Sequence, residues 1–184
     1  MKKYDTIFLD RDGTLNFDPG FVQNVDQFKF YDFTIPALRI LSENGNKFCI
    51  ISNQSGVGRG LIDINDLHDI NSFIRREFIA NQINLMEIYF CTDHPDNETN
   101  RRKPGTGMFL DAADDYDIEL NRCLMIGDSE RDLIPAHVLG MDTMLVLTGN
   151  GHLTLDTIAP SDKPTYVVEN ILEGAKLIIK NLKI

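Results

Sequence analysis

Tryptophan is absent, cysteine occurs three times (Cys49, Cys91, Cys123), and no apolar run approaches a bilayer span in these 184 residues. A span needs about 20 such residues, so no membrane partner is expected. Three cysteines are too few and odd in number for a disulfide framework. Cys49 and Cys123 lie within strand-like runs, where a free thiol serves as packing. Met1-Lys2-Lys3-Tyr4-Asp5 passes straight into an apolar run with no signal-peptide pattern, so a cytoplasmic protein is expected. Basic residues are scarce: 18 Lys and Arg against 28 Asp and Glu leave a formal charge of −10. That excludes a general nucleic-acid binder, which needs a basic surface. A small phosphorylated ligand stays compatible, since a local cluster of metal, Lys and Arg can override the overall field. Repeats and low-complexity tracts are lacking, and the acidic exterior offers no evident oligomer patch, so a monomer is expected. What remains is ordinary globular composition, 42% hydrophobic and 25% charged, in a length that suits one domain over residues 1–184.

The chain is organised around Thr6-Ile7-Phe8-Leu9-Asp10-Arg11-Asp12-Gly13-Thr14. A β-branched and aromatic run reads as a buried strand that stops at two carboxylates one residue apart. Two acids that close resist joint ionisation unless a proton or cation lies between them. A divalent metal is the economical explanation, and Mg²⁺ favours one or two carboxylates plus substrate phosphate. A plain polar turn after a strand uses the same residue types, so the motif alone leaves both open.

Strand and helix patterns then alternate. Residues 16–33 form an aromatic-rich loop folded over the first strand's end. Helices are expected over 34–41, 63–81, 108–116, 131–139 and 171–182, with strands over 47–51, 86–90, 123–126, 143–147 and 166–168. Alternation with short connections implies an α/β fold, a doubly wound parallel sheet of Rossmann-like type. Neither interval between the first three strands has room for a cap domain, so specificity falls to loops. Asp10 and Asp12, Ser52 and Asn53, Arg102 and Lys103, and Gly127-Asp128 all follow strands, and parallel strands bring their ends to one crevice. Carboxylates for a metal, small donors for phosphoryl oxygens and a cation for their charge are what phosphoryl transfer needs.

Asp10-x-Asp12-Gly13-Thr14, Ser52-Asn53, Lys103-Pro104 and Gly127-Asp128-Ser129-x-x-Asp132 resemble, in order, the four motifs of haloacid-dehalogenase superfamily phosphatases. Phe8-Leu9-Asp10-Arg11-Asp12-Gly13-Thr14, Asp18-Pro19-Gly20-Phe21-Val22, Ser52-Asn53-Gln54-Ser55-Gly56 and Arg102-Lys103-Pro104 resemble its branch of heptose 1,7-bisphosphate and histidinol-phosphate phosphatases. Gly20-Phe21-Val22, Arg59-Gly60 and Thr148-Gly149 lean toward the heptose side. The resemblance implies Asp10 as nucleophile, Asp12 as general acid and base, and Mg²⁺ held by Asp10, the Asp12 carbonyl and Asp128. It also implies Ser52 and Asn53 as phosphoryl donors, Lys103 as their counter-charge, and Asp132 as an orienting group. Gln54 and Ser55 extend the phosphate loop, Asp18, Pro19, Gly20 and Phe21 would line the sugar, and Arg59 and Arg102 would clamp a second phosphate. The partner implied is a small phosphorylated metabolite, a sugar bisphosphate first.

The relatives' zinc loop carries Cys-x-His and a later Cys-x-Cys. Here Cys91 and His94 remain with altered spacing, and no Cys precedes Arg102. Two ligands fall short of the four that a closed site wants, so zinc is not expected. The rival functions are histidinol-phosphate hydrolysis, a phospho-ligand-binding module without turnover, and phosphoryl transfer to an acceptor other than water.

Overall fold

The computed structural model describes residues 4–182; Met1 to Lys3, ahead of the first strand, lie outside the described residues. Six strands alternate with helices: β1 (Thr6–Leu9), β2 (Lys47–Asn53), β3 (Leu85–Cys91), β4 (Leu124–Gly127), β5 (Asp142–Val146) and β6 (Tyr166–Val168). The helices are α1 (Thr34–Glu43), α2 (Ser55–Gly58), α3 (Ile64–Ala80), α4 (Gly107–Tyr116), α5 (Glu130–Val138), α6 (Gly151–Thr157) and α7 (Ile171–Leu182). All five strand pairings are parallel, in the order β3-β2-β1-β4-β5-β6. This is the doubly wound α/β sheet expected. Between β1 and β2 lie one loop and α1, and between β2 and β3 only α2 and α3, so the cap-less form stands.

Side-chain alternation along β1 explains why the sheet is covered on both faces. Ile7 and Leu9 join one buried cluster with Leu38 and Leu41 of α1, Ile70 and Ile74 of α3, and Ile171 of α7. Phe8 points the other way, into a cluster with Cys49, Met108 and Phe109 of α4, and Ala136 of α5. Cys49 and Cys123 are buried thiols within that second layer.

The order places a topological switch between β1 and β4, the strands on either side of which the chain winds in opposite directions. A crevice opens beyond the carboxyl ends of strands at such a point. The segment after β1 folds back over it. Phe17 N donates to Lys29 O, Tyr31 N to Leu15 O, and Thr34 Oγ1 to Leu15 O at 2.6 Å. Its aromatic side chains are used: Phe28 meets Phe30 edge-on at 4.9 Å and Phe73 of α3 at 5.8 Å.

Two differences from the expected elements bear on the site. Ser52 and Asn53 belong to β2 itself, so both are fixed by the sheet and not by a following loop. An unexpected helix, α6, follows β5; its Leu153 and Leu155 are exposed, so it has no apolar stripe to read.

Candidate active site

The strand ends enclose a cavity of about 260 Å³ lined by Asp10, Asp12, Ser52, Asn53, Lys103 and Asp128 together. Asp18, Gly20, Phe21, Gln54 and Ser55 also line it. Pro19, Arg59 and Arg102 do not.

One half of the cavity is a carboxylate cluster around a single ammonium. Lys103, a residue only 2% exposed, donates through Nζ to Asp10 Oδ1 at 2.7 Å, Asp132 Oδ1 at 2.5 Å and Ile51 O at 2.7 Å. Carboxylate oxygens of Asp10, Asp128 and Asp132 all lie within 4.8 Å of one another. Burial drives the Asp10 carboxyl well above its usual range; Lys103 opposes this, and Asp132 and Asp128 add to it. Burial, then Asp132, pushes Asp128 up to about 7. Burial alone would lower Lys103, but the charges of Asp10 and Asp132 outweigh it and hold the ammonium above its ordinary range. Three acids share one cation here, the imbalance that a further cation relieves.

Asp128 is held by the segment that follows the neighbouring strand, β5. Asn150 donates to its Oδ2 through the backbone N at 2.7 Å and through Nδ2 at 3.2 Å. A Cβ on Gly13 would come within 2.3 Å of that oxygen, and one on Gly149 within 2.1 Å. Both glycines have positive φ, so they supply the turn and the close approach at once. Asp132 closes a capping box on α5, accepting from Ser129 N at 3.1 Å and Ser129 Oγ at 2.9 Å. One residue therefore caps a helix and anchors Lys103.

The other half is a single carboxylate in a cage of donors. Asp12 Oδ1 accepts from Arg11 Nε at 3.1 Å and Asn16 Nδ2 at 2.9 Å. Its Oδ2 accepts from Arg11 Nε at 3.0 Å, Arg11 Nη2 at 2.7 Å and Gln54 Nε2 at 2.8 Å. Burial acts to raise this group, but the Arg11 charge and the Arg11, Asn16 and Gln54 hydrogen bonds overcome it and hold Asp12 below the usual carboxylate range. Asp10 and Asp12 are thus pushed in opposite directions two residues apart, in the reverse of the sense that a nucleophile at Asp10 and an acid at Asp12 need, and a cation beside Asp10 is what would bring the nucleophile down.

Two side chains have uses that their types alone do not reveal. Asn53 clamps the Lys103 backbone, Nδ2 donating to Lys103 O at 2.8 Å and Oδ1 accepting from Lys103 N at 3.0 Å. Both polar ends of its amide are thereby occupied. Gln54 Nε2 also donates to Ser52 Oγ at 2.7 Å, which leaves the serine's own O–H to donate into the cavity. Arg102 is buried in the loop after β3, with Nε on Glu98 at 2.7 Å, and Arg59 is exposed after α2. That same loop is tied by Asp93, which accepts from Thr99 N and Oγ1, each at 2.7 Å. Sequence reasoning missed Arg131, which lines the cavity from the first turn of α5, and Asn150, which reaches it only because α6 follows β5. No local signal marks either.

A parallel sheet in this order, with an Asp-x-Asp pair at its central strand's end and a Lys–Asp–Asp cluster facing it, defines an aspartate-based phosphatase fold. Comparisons with known proteins carry this further. A family model described as HAD-hydrolase-like matches residues 100–174. The chain is 35% identical over 190 residues to the D-glycero-beta-D-manno-heptose-1,7-bisphosphate 7-phosphatase of Pasteurella multocida, covering 100% of both chains. It is 31% identical over 152 residues to the corresponding alpha enzyme of Burkholderia mallei, covering 79% of this chain and 80% of that one. Among solved structures, the D,D-heptose 1,7-bisphosphate phosphatase of B. bronchiseptica, complexed with magnesium and phosphate, superposes with a TM-score of 0.89 at 33% identity. That match covers 96% of this chain and 99% of the other. The chain belongs to the heptose-1,7-bisphosphate 7-phosphatase family of haloacid-dehalogenase-type phosphatases.

Proposed function

We propose that this enzyme hydrolyses the 7-phosphate of D-glycero-D-manno-heptose 1,7-bisphosphate through an aspartyl-phosphate on Asp10. The observation that carries the reading is the single cavity in which Asp10, Asp12, Ser52, Lys103 and Asp128 meet, in a chain whose relatives of matching length bear that activity in their names. An Asp10 oxygen attacks phosphorus in line as the bond to the sugar oxygen breaks. Asp12, once protonated, gives its proton to the departing alkoxide and later takes one from the water that cleaves the acyl phosphate. Ser52 Oγ–H and the Lys103 ammonium receive the phosphoryl oxygens, and Asp132 keeps Lys103 in place.

The donor set fits Mg²⁺: hard oxygen ligands, an excess of negative charge over the one ammonium, and an Asp128 carboxyl that burial and the Asp132 charge push up to about 7. Asp10, Asp128 and the Asp12 carbonyl would hold it. When bound, Mg²⁺ neutralises the carboxylate cluster and the phosphoryl charge that develops beside it.

For the second phosphate of a bisphosphate, the cavity offers Arg131, exposed at its rim and without an ion pair among the described residues. Guanidinium recognises phosphate in bidentate fashion, which suits that task. Phe21, Val22 and Ile62 give the same rim an apolar side for the sugar.

The test is inorganic phosphate release with Mg²⁺ from both heptose 1,7-bisphosphate anomers, fructose 1,6-bisphosphate and histidinol phosphate. Selective release from one heptose anomer supports the proposal and identifies the anomer. Preference for histidinol phosphate would keep the chemistry and replace the substrate.

A further inference from the structure

Arg11 stands between the two aspartates, in the one position of that motif whose side chain has no assigned task. An arginine there would ordinarily extend to solvent, since Arg is among the residues least often buried. Instead it is 1% exposed. Its guanidinium carbon sits 5.9 Å from the centre of the Phe28 ring, which belongs to the aromatic cluster that closes the segment after β1 over the strand end. Its fork faces the Asp12 carboxylate through Nε and Nη2, and Nη2 also donates to Gln54 Oε1 at 2.9 Å. Gln54 in turn donates to Asp12 and to Ser52 Oγ. Ser52, Gln54, Arg11 and Asp12 therefore form one continuous chain of hydrogen bonds linking the ends of β1 and β2.

We propose that Arg11 is a positioning residue whose planar fork, braced by Gln54 and Phe28, fixes the Asp12 carboxyl for proton exchange with the leaving group. This rests on the reading of Asp12 as the general acid and base. The geometry suits the role because a bidentate guanidinium constrains a carboxylate in rotation as well as in position, which a single ammonium does not do. Orientation of this kind matters only when the leaving oxygen must be protonated. In the first half-reaction a bond forms between Asp10 and phosphorus, the P–O bond to the leaving group breaks, and the Asp12 proton goes to the departing oxygen. A sugar or other alkyl alkoxide requires that proton. A p-nitrophenolate leaves without it.

The experiment follows leaving-group release in single turnovers with Mg²⁺, using a hexose 6-phosphate and p-nitrophenyl phosphate. It compares the wild type, Asp12→Asn, Arg11→Met and Arg11→Lys. A misplaced acid costs on the order of 10²-fold, the lower end of what general acid catalysis supplies. Arg11→Met is expected to slow alcohol release from the hexose phosphate at least about tenfold more than it slows the p-nitrophenolate burst. Asp12→Asn should show the same selectivity more strongly, and Arg11→Lys, with the charge but not the fork, should fall between wild type and Arg11→Met. If Arg11→Met does not fold, Arg11→Lys carries the test through its own ratio of the two losses. Equal losses on both substrates, or none, in the Arg11 variants beside a selective Asp12→Asn would overturn the role of Arg11 and leave that of Asp12 standing. An unselective Asp12→Asn would overturn both.

Discussion

Asp10 and Asp12 are separated by one residue, share one cavity, and live in opposite electrostatic surroundings. Asp10 faces Asp128, Asp132 and a single lysine, and burial with that crowding drives its carboxyl up. Asp12 faces an arginine and two amides, and is driven down in spite of its burial. The contrast divides the labour of the site. In the Asp12 half both carboxylate oxygens are already supplied with donors from the protein. The Asp10 half carries more negative charge than its one ammonium can balance, and a divalent cation is what would finish it. The half that holds the nucleophile is thus short of positive charge, and the half that holds the acid and base is bound by donors on both oxygens.

The largest effects should separate the halves by kinetics. Asp10→Asn removes the nucleophile and is expected to cut turnover by at least about 10⁴-fold, leaving no phosphate covalently bound to the protein. Asp12→Asn removes only acid–base help and should cost roughly 10²–10⁴-fold, with residual turnover measurable by continuous phosphate assay. Comparable losses in the two variants would erase the distinction. Arg131→Ala should lower kcat/KM for the bisphosphate by about tenfold, through KM, as expected for one charge-assisted contact at an exposed rim. The corresponding monophosphate serves as the comparison substrate, and an equal loss on both would remove Arg131 from second-phosphate recognition.

Smaller effects should appear in stability. Asp128→Asn relieves like-charge crowding and is expected to raise the metal-free protein's stability at pH 8 by on the order of 1–2 kcal/mol, while abolishing stabilisation by Mg²⁺. Thermal melts with and without the metal report both. The pH dependence has a definite sign. Asp128 rises from 3.8 to about 7 on folding, so the native state binds the extra proton in that window. Metal-free stability from this group should therefore increase as pH falls from about 8 toward 5, and saturating Mg²⁺ should flatten or reverse that trend. Asp12 works the other way, its contribution present above 3.8 and lost only as pH falls through its lowered folded value. A melting temperature that declines steadily from pH 8 to 5 without metal would contradict the assignment of an overcharged Asp10 half.

The overcharged half was largely legible from sequence, and the caged half was not. Asp10, Lys103 and Asp128 each close or follow a recognisable apolar strand, and a parallel sheet carries such ends to one edge. The cage depends on burial that no local pattern announces. Arg11 reads as a solvent-facing residue until the aromatic segment around Phe28 covers it. Asn53 and Gln54 read as ligands for phosphate, yet Asn53 spends its amide on the Lys103 backbone and Gln54 joins Ser52 to Asp12. Arg102 was expected beside a second phosphate, whereas its Nε pairs with Glu98 four residues earlier. Arg131 lines the cavity because α5 starts immediately after the β4 motif. Amides and guanidinia can serve many partners, so their type fixes a vocabulary and only the fold selects the partner.

The most direct test of an Asp10 half completed by a divalent cation is position-specific phosphate release from heptose 1,7-bisphosphate, with Mg²⁺ and with chelator. Loss of the C7 phosphate only in the presence of Mg²⁺, leaving the C1 phosphate on the sugar and failing in Asp10→Asn, is the predicted result. Undiminished release in chelator, or in Asp10→Asn, would contradict it.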